Sequence, residues 1–439
     1  MKKYFRFEEL GTNYRREFIG GLTTFLSMAY ILIVNPLTLS LSSVPDLPDA
    51  MRMDKGAVFV ATALAAAVGS LFMGLIARYP IGLAPGMGLN AFFAYTVVLG
   101  MGYPWEFALT AVLLEGILFI LLSFFNVREA IIDSIPMNLK HAVSVGIGLF
   151  IAFIGLANAG VVVSGGGTII GLGEITAAAP MLAIIGIIIT GFLLAKGVKG
   201  ALLLGILITT VIGIPMGQTV LPENLKFISA PPSLSPIFFK FDFSNIFTLD
   251  MVIVLFSFLF VDIFDTVGTL VGVSSKADML DKDGKVPNVK RALLADAIGT
   301  TAGACLGTST VTTYVESAAG VSEGGRTGLT ALTTAGMFAI ALFLSPLFIM
   351  IPGAATAPAL VIVGLFMMSP IKKIDLDDIT EAIPAFLTII MMPFAYSIAE
   401  GIVFGMVSYV VINILAGKLK KVSPVMIILA ILFVGKFII

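Results

Sequence analysis

Apolar residues in this chain gather into runs about as long as a bilayer is thick, with short polar stretches between them. The runs fall at residues 18–39, 57–77, 82–100, 105–125, 142–159, 181–195, 201–215, 251–273, 292–306, 314–320, 329–351, 354–368, 383–397 and 401–416. An apolar run of about 20 residues crosses the roughly 30 Å hydrocarbon layer as a helix. The pattern predicts an all-α, polytopic membrane protein with fourteen crossings. A last run, 422–438, is either a fifteenth crossing or a segment lying at the interface.

Two of the fourteen runs are irregular. The third reads YPIGLAPGMGLNAFFAY (79–95) and is broken by Gly and Pro. The tenth lies in LGTSTVTTYVESAAG (306–320) and is broken by Gly and Thr. The β-branched stretch Thr308–Thr313 favours extended backbone over helix. Irregular backbone at membrane depth survives only where protein buries it or it lines a wet cavity. Fourteen divides as seven plus seven, and each irregular run is the third of its half. An odd-numbered unit repeated once must have inverted topology, and paired interruptions of this kind point to a transporter's binding site. The expected geometry has two half-helices aiming their free N–H groups at the membrane midplane.

Charge supports the count. If the N-terminus is cytoplasmic and every run crosses, the outer side holds only Arg52, Lys55, Lys226 and Lys240 of the 26 Lys and Arg residues. Lys436 lies in the last run, and all the others fall inside, as the positive-inside rule requires. The loop 273–291 is then cytoplasmic and 161–176 is outside. Dropping one run would invert every later loop and destroy this split.

Composition narrows the chemistry. The 439 residues are 58% hydrophobic and 12% charged, with a mean hydropathy of +1.06; a soluble domain carries about 25% charged residues. A net charge of −1 offers no basic surface for nucleic acid. Cys305 is the single cysteine and His141 the single histidine. No disulfide framework, cysteine or histidine metal site, or Ser-His-Asp triad can be built, and no cofactor is called for. The polar start, residues 1–17, runs straight into a full-length span and does not look like a cleavable signal peptide.

Polar residues inside the runs are the candidate site, because a carboxylate at membrane depth costs a few kcal/mol on the lenient scale of about 2.5–3.5. Glu316 follows the broken tenth segment at once. Asp262 and Asp265 lie three apart in an apolar helix, on roughly one face. Asn90 lies just inside the broken third segment. Glu115, Asp296 and His141 are as well explained by structural hydrogen bonds, a cap and a solvated helix end. Tyr30, Phe93, Tyr95, Phe264 and Tyr314 flank the polar positions. Two carboxylates, an amide and aromatic rings suit a flat, neutral heterocycle. Carboxylates accept its in-plane N–H groups and rings stack on its faces. A carboxylate at the site that can take up a proton also offers coupling to the proton gradient, where moving one charge is worth about 2.3 kcal/mol per 100 mV.

Four stretches then carry a resemblance: GLTTFLSMAYILIVNP (21–36), PIGLAPGMGLNAFFAY (80–95), FVDIFDTVGTLVG (260–272) and GTSTVTTYVESAAGVSEGGRTG (307–328). The chain resembles the nucleobase–ascorbate transporter superfamily, and most of all its azaguanine-resistance branch of guanine/hypoxanthine and adenine permeases. The resemblance implies a seven-plus-seven inverted repeat. Residues 1–125 and 250–351 would form a core domain, and residues 126–217 and 352–439 a gate domain, with the core carrying substrate past the gate. It places substrate-binding acids at Asp265, through D-T-V-G, and at Glu316, through T-T-Y-x-E. Tyr314 and Asn90 fall at substrate-facing positions, with Phe264 and Phe93 beside them. Uracil-type members carry a histidine where this chain has Thr269, and E-S-A-A-G replaces their E-N-x-G. Both differences favour the purine branch and leave Asp265 and Glu316 as the proton carriers. The expected function is proton-coupled import of a purine base across the plasma membrane by a multi-pass protein, for which a homodimer is one assembly to test. The alternatives are a uracil- or xanthine-type permease and an anion carrier of the same fold. An anion carrier would want a cation at the site in place of two acids. An intramembrane enzyme finds no nucleophile, metal cluster or phosphate loop, and a channel needs no paired interruptions.

Overall fold

The computed structural model describes residues 2–42, 44, 47–125, 135–165, 168–221, 226–280 and 286–438. Arg128, Lys282 and Lys285, which entered the charge count above, lie outside these.

Most of the apolar runs are helices, several of them begun where the sequence offers a cap. Helices α1 (Tyr14–Met28) and α2 (Ile31–Leu39) form the first crossing, α3 (Lys55–Phe72) the second. The third run is not a plain helix. It is a short strand β1 (Leu83–Pro85), a helix α4 (Met87–Ala91) and a π-helical stretch, Phe92–Gly100. Then follow α5 (Trp105–Phe125), α6 (Met137–Asn158), a small hairpin of β2 (Val162–Val163) and β3 (Gly171–Leu172), α7 (Ala178–Ala195) and α8 (Ala201–Gly213). The second half runs α9 (Leu249–Lys276), α10 (Val289–Leu306), β4 (Val311–Thr313), α11 (Ser317–Ser322), α12 (Gly328–Ala341), α13 (Ser345–Ile349), α14 (Gly353–Met367), α15 (Ile379–Phe394), α16 (Ile398–Leu415) and α17 (Pro424–Ile438). Nine helices among the described residues are long and apolar enough to cross a membrane, and four more are apolar but shorter. The last run is therefore helical, as α17.

Side-chain caps explain several starts. Asn13, Asp54, Thr248, Asp378 and Ser397 each accept a backbone N–H from the first turn of the following helix, satisfying donors that a helix leaves open. The tenth run is interrupted within the stretch Thr308–Thr313 expected to be extended. Extended backbone occupies 311–313, just ahead of the apolar stretch, because three β-branched residues in a row resist helix. The ninth crossing, α10, forms although Lys290, Arg291 and Asp296 keep it off the long apolar set.

The two interrupted segments meet. β1 and β4 pair antiparallel, with Leu83 opposite Thr313, Ala84 opposite Thr312 and Pro85 opposite Val311. This pairing gives backbone groups at the centre of the molecule partners that lipid cannot supply. Around it, α3 packs on α10 and α12, α5 on α9 and α10, and α1 on α11 and α12. The last contact depends on small residues: a Cβ on Gly320 would strike Thr24 Oγ1 and the Gly20 carbonyl, the close approach that small residues allow between membrane helices. A second group forms where α6 packs on α14, α15 and α16, and α7 on α8 and α14. Among the described residues, polar contacts bridge the groups. Asn158 Nδ2 donates to the Tyr95 hydroxyl at 2.7 Å, and Lys199 pairs with Glu323.

Candidate substrate site at the crossing of the broken segments

The strand that opens the site has all but one of its hydroxyls in use. Thr308 Oγ1 accepts from Asn35 Nδ2 at 2.9 Å. Ser309 donates to Asn90 Oδ1, and Thr310 to Glu115 Oε2 at 2.6 Å. Thr312 shares a 2.7 Å bond with Thr266. Thr313 Oγ1 lies 3.4 Å from the Thr266 carbonyl, a long contact at the edge of hydrogen-bond range. Thr308–Thr313 is thus tied to four neighbouring helices, and all its side chains are buried.

Beyond it the character changes. Tyr314 is 5% exposed, and its hydroxyl donates to the Pro85 carbonyl at 2.6 Å, fastening the two broken segments together. Glu316 is half-buried. Its Oε1 accepts from the hydroxyl of Tyr30 at 2.8 Å, and the Tyr30 and Tyr314 rings lie 6.5 Å apart. Asp265, also half-buried, lies within electrostatic reach of Glu316, Tyr30 and Tyr314. Phe264 is half-buried beside it, its ring 5.1 Å from the Lys140 ammonium.

The candidate residues therefore divide. Asp265, Glu316 and Tyr314 come together, with Phe264 adjacent. Asn90 and Phe93 are fully buried. Asn90 has its amide oxygen taken by Ser309, and its Nδ2 lies 3.5 Å from the Pro85 carbonyl and 3.9 Å from Met87 Sδ. Asp262 and Asp265 lie within electrostatic reach of each other but differ in exposure. Asp262 is fully buried, and Thr266 Oγ1 lies 3.4 Å from it and 3.0 Å from Asp296. Glu115 and Asp296 are also fully buried. His141 lies near the start of α6 and is half-buried.

Tyr30 carries more than the sequence assigned to it. It sits where the first crossing tightens: the Leu32 and Ile33 N–H groups bond to carbonyls three residues back, those of Ala29 and Tyr30. A single tyrosine in an otherwise apolar stretch was the available signal. Glu17 gave less: it reads as a first-turn acid, yet it is fully buried. Among the described residues no group of three or more His, Cys, Asp or Glu side chains could hold a metal ion.

A crossed pair of interrupted helices with acids beside the crossing, inside a polytopic helical protein, defines a membrane transporter. The permease family model matches residues 15–404, and the chain belongs to that family; it is a multi-pass permease and not an enzyme. It is 50% identical over 440 residues to the guanine/hypoxanthine permease PbuG of Bacillus subtilis, covering 100% of this chain and 99% of that one. It is 44% identical to the adenine permease AdeP of Escherichia coli, covering 100% and 96%. Among solved structures, the transmembrane domain of the cyanobacterial bicarbonate transporter BicA matches with a TM-score of 0.65 at 17% identity, over 89% of this chain and 96% of that one. That likeness is one of fold.

Proposed function

We propose that this permease imports a purine base, guanine, hypoxanthine or adenine, together with a proton. The observation that carries the reading is the carboxylate of Glu316 held by Tyr30 beside Asp265 and Tyr314. Two acids in one half-buried pocket match the N–H edges of a neutral purine and repel an anion, which sets this site against an anion carrier of the same fold. The relatives named as purine permeases support the substrate class. Asp265 and Glu316 are the groups at the site able to carry a proton, and their closeness makes them a coupled pair.

Alternating access follows from the two helix groups. The core is residues 1–125 and 250–351, arranged as inverted repeats around the β1–β4 crossing. The gate is residues 126–217 and 352–439. In an elevator-like movement the core carries the purine past the gate, and the Asn158–Tyr95 and Lys199–Glu323 contacts part. The N-terminus is cytoplasmic and the membrane is the plasma membrane.

Uptake of radiolabelled hypoxanthine into proteoliposomes tests the substrate. Glu316→Gln removes one anionic acceptor and should abolish uptake while leaving insertion intact. Near wild-type transport by correctly inserted Glu316→Gln protein would remove Glu316 from the site.

A further inference from the structure

We propose that Tyr30 is a positioning residue for substrate: its phenol fixes the Glu316 carboxylate so that one oxygen alone faces the purine, and this sets which N–H the site reads. The inference rests on the purine reading above and adds to it a residue on the first crossing.

Among the described residues, Tyr30 is the one side chain hydrogen-bonded to Glu316, and it does so through Oε1 at 2.8 Å. Toward a carboxylate the phenol can only donate. Tyr30 itself is 1% exposed, so its ring is held by packing and its hydroxyl has little freedom to turn elsewhere. The neighbouring phenol is not available for this role, since Tyr314 spends its hydroxyl on the Pro85 carbonyl. The backbone is specialised at the same point. The bonds back from Leu32 and Ile33 span three residues, a tightening of the helix that often marks a functional position. Glu316 precedes a helix of six residues, and its carboxylate also takes a bond from its own backbone N–H; that local bond closes a small ring within one residue, and the phenol is the side chain that ties the carboxylate to another part of the fold. With Oε1 occupied, Oε2 is the acceptor left for a ring N–H. Without the phenol the carboxylate can rotate and accept from either edge of the base.

A charge-assisted hydrogen bond of this kind is worth about ten- to hundredfold in an equilibrium. Tyr30→Phe keeps shape and removes the donor. In proteoliposomes it should raise the KM for hypoxanthine about tenfold or more, with maximal rate per inserted transporter within about twofold. A packing defect could do the same, so the deciding readout is selectivity. Competition by hypoxanthine and by its singly N-methylated derivatives is measured for both proteins. Wild type should rank the N-methyl isomers widely apart, because a fixed acceptor reads one N–H. Tyr30→Phe should compress that ranking toward equality, whereas a packing defect weakens every competitor by the same factor. If Tyr30→Phe inserts poorly, thermal stabilisation of the detergent-solubilised protein by the same set of bases supplies the ranking. Wild type that fails to take up hypoxanthine overturns the purine reading itself. Wild type that transports, with Tyr30→Phe unchanged in KM or uniformly weakened across the isomers, overturns the role of Tyr30.

Discussion

Replacing Glu17 should cost the protein more stability than replacing any acid near the substrate. Glu17 is fully buried on the first turn of α1, where its carboxylate caps a different helix. Oε1 accepts from Thr12 Oγ1 at 2.7 Å and the Arg326 N–H at 3.0 Å. Oε2 accepts from the Thr327 N–H at 3.2 Å and its hydroxyl at 2.8 Å, and from the Thr330 N–H at 3.2 Å and its hydroxyl at 2.7 Å. The three backbone donors belong to the start of α12, which the helix dipole makes positive. The acid thus joins the first crossing to the eleventh.

In Glu17→Gln an amide oxygen can stay at the Oε2 position and keep four of these donors. The amide nitrogen then faces the Arg326 N–H, and one buried donor left unmade costs about 1–3 kcal/mol. The remaining bonds lose their charge assistance, so a total near 3 kcal/mol follows, or roughly 3 °C in the Tm of a chain this long. Glu17→Ala orphans all three N–H groups and should cost more, about 3–5 kcal/mol as for other broken buried charge sites. Thr330→Val removes one hydroxyl and should cost about 1 kcal/mol. Thermal unfolding of detergent-solubilised protein, followed by size exclusion, gives the order Ala, then Gln, then Val. The KM for hypoxanthine should stay near wild type in every variant that survives. A Glu17→Ala protein as stable as wild type, or a Gln variant less stable than the Ala variant, would refute the capping account.

Four further outcomes follow from other parts of the molecule. Asp265→Asn should bind or exchange purine yet fail to accumulate it against a gradient; full uptake with the proton gradient collapsed and sodium added would instead indicate sodium coupling. Cysteines at the exposed positions Ser275 and Ser164, in a Cys305→Ser background, should label from opposite faces, and labelling from one face would break the fourteen-crossing topology. Lys199→Cys with Glu323→Cys, replacing the ion pair between the two helix groups, should be joined by a short bis-maleimide reagent that spans the two long side chains it replaces, and the cross-link should stop transport; undiminished uptake by the cross-linked protein would mean the groups do not slide there. Lys418 beside Asp378 holds that carboxyl below its usual range, so its stabilisation is present above about pH 4 and is lost as pH falls through the lower folded-state value; Asp378→Asn should flatten the acid limb of a Tm–pH curve, by a small amount because the pair is solvent-screened.

How far the sequence reached depended on whether a signal was local. Run length and loop charge are local, and they located the helices from α1 to α16 and the two interruptions. The interruption in 306–320 was visible as β-branched residues and glycine, and the strand Val311–Thr313 falls inside Thr308–Thr313, where those residues predicted extended backbone. Helix spacing put Asp262 and Asp265 on roughly one face, but three residues is about 300° of turn on a helix of 3.6 residues. That offset buries one carboxyl beside Thr266 and leaves the other half-exposed, within electrostatic reach of Glu316. Glu17 could not be seen at all, since an acid in a first turn looks like a dipole partner of its own helix, and its true partners are some 310 residues away.

Asn90 shows what pattern alone leaves undecided. An amide beside a break is equally suited to bind a ligand or to hold the break in place, and sequence offers no term that separates the two. The partner list does. Asn35 donates its amide to Thr308 Oγ1, while Ser309 and Thr310 donate to Asn90 and Glu115, so the hydroxyls leading up to the strand have internal partners, as irregular backbone at membrane depth requires. The first carboxylate past the strand whose only side-chain partner is a single phenol is Glu316. A purine entering the crossing must therefore compete with Ser309 to reach Asn90, whereas it meets an open oxygen on Glu316. This difference predicts that Asn90→Ala loses thermal stability and transport together, while Glu316→Gln loses transport alone; an Asn90→Ala protein with full stability and no uptake would return the amide to the substrate.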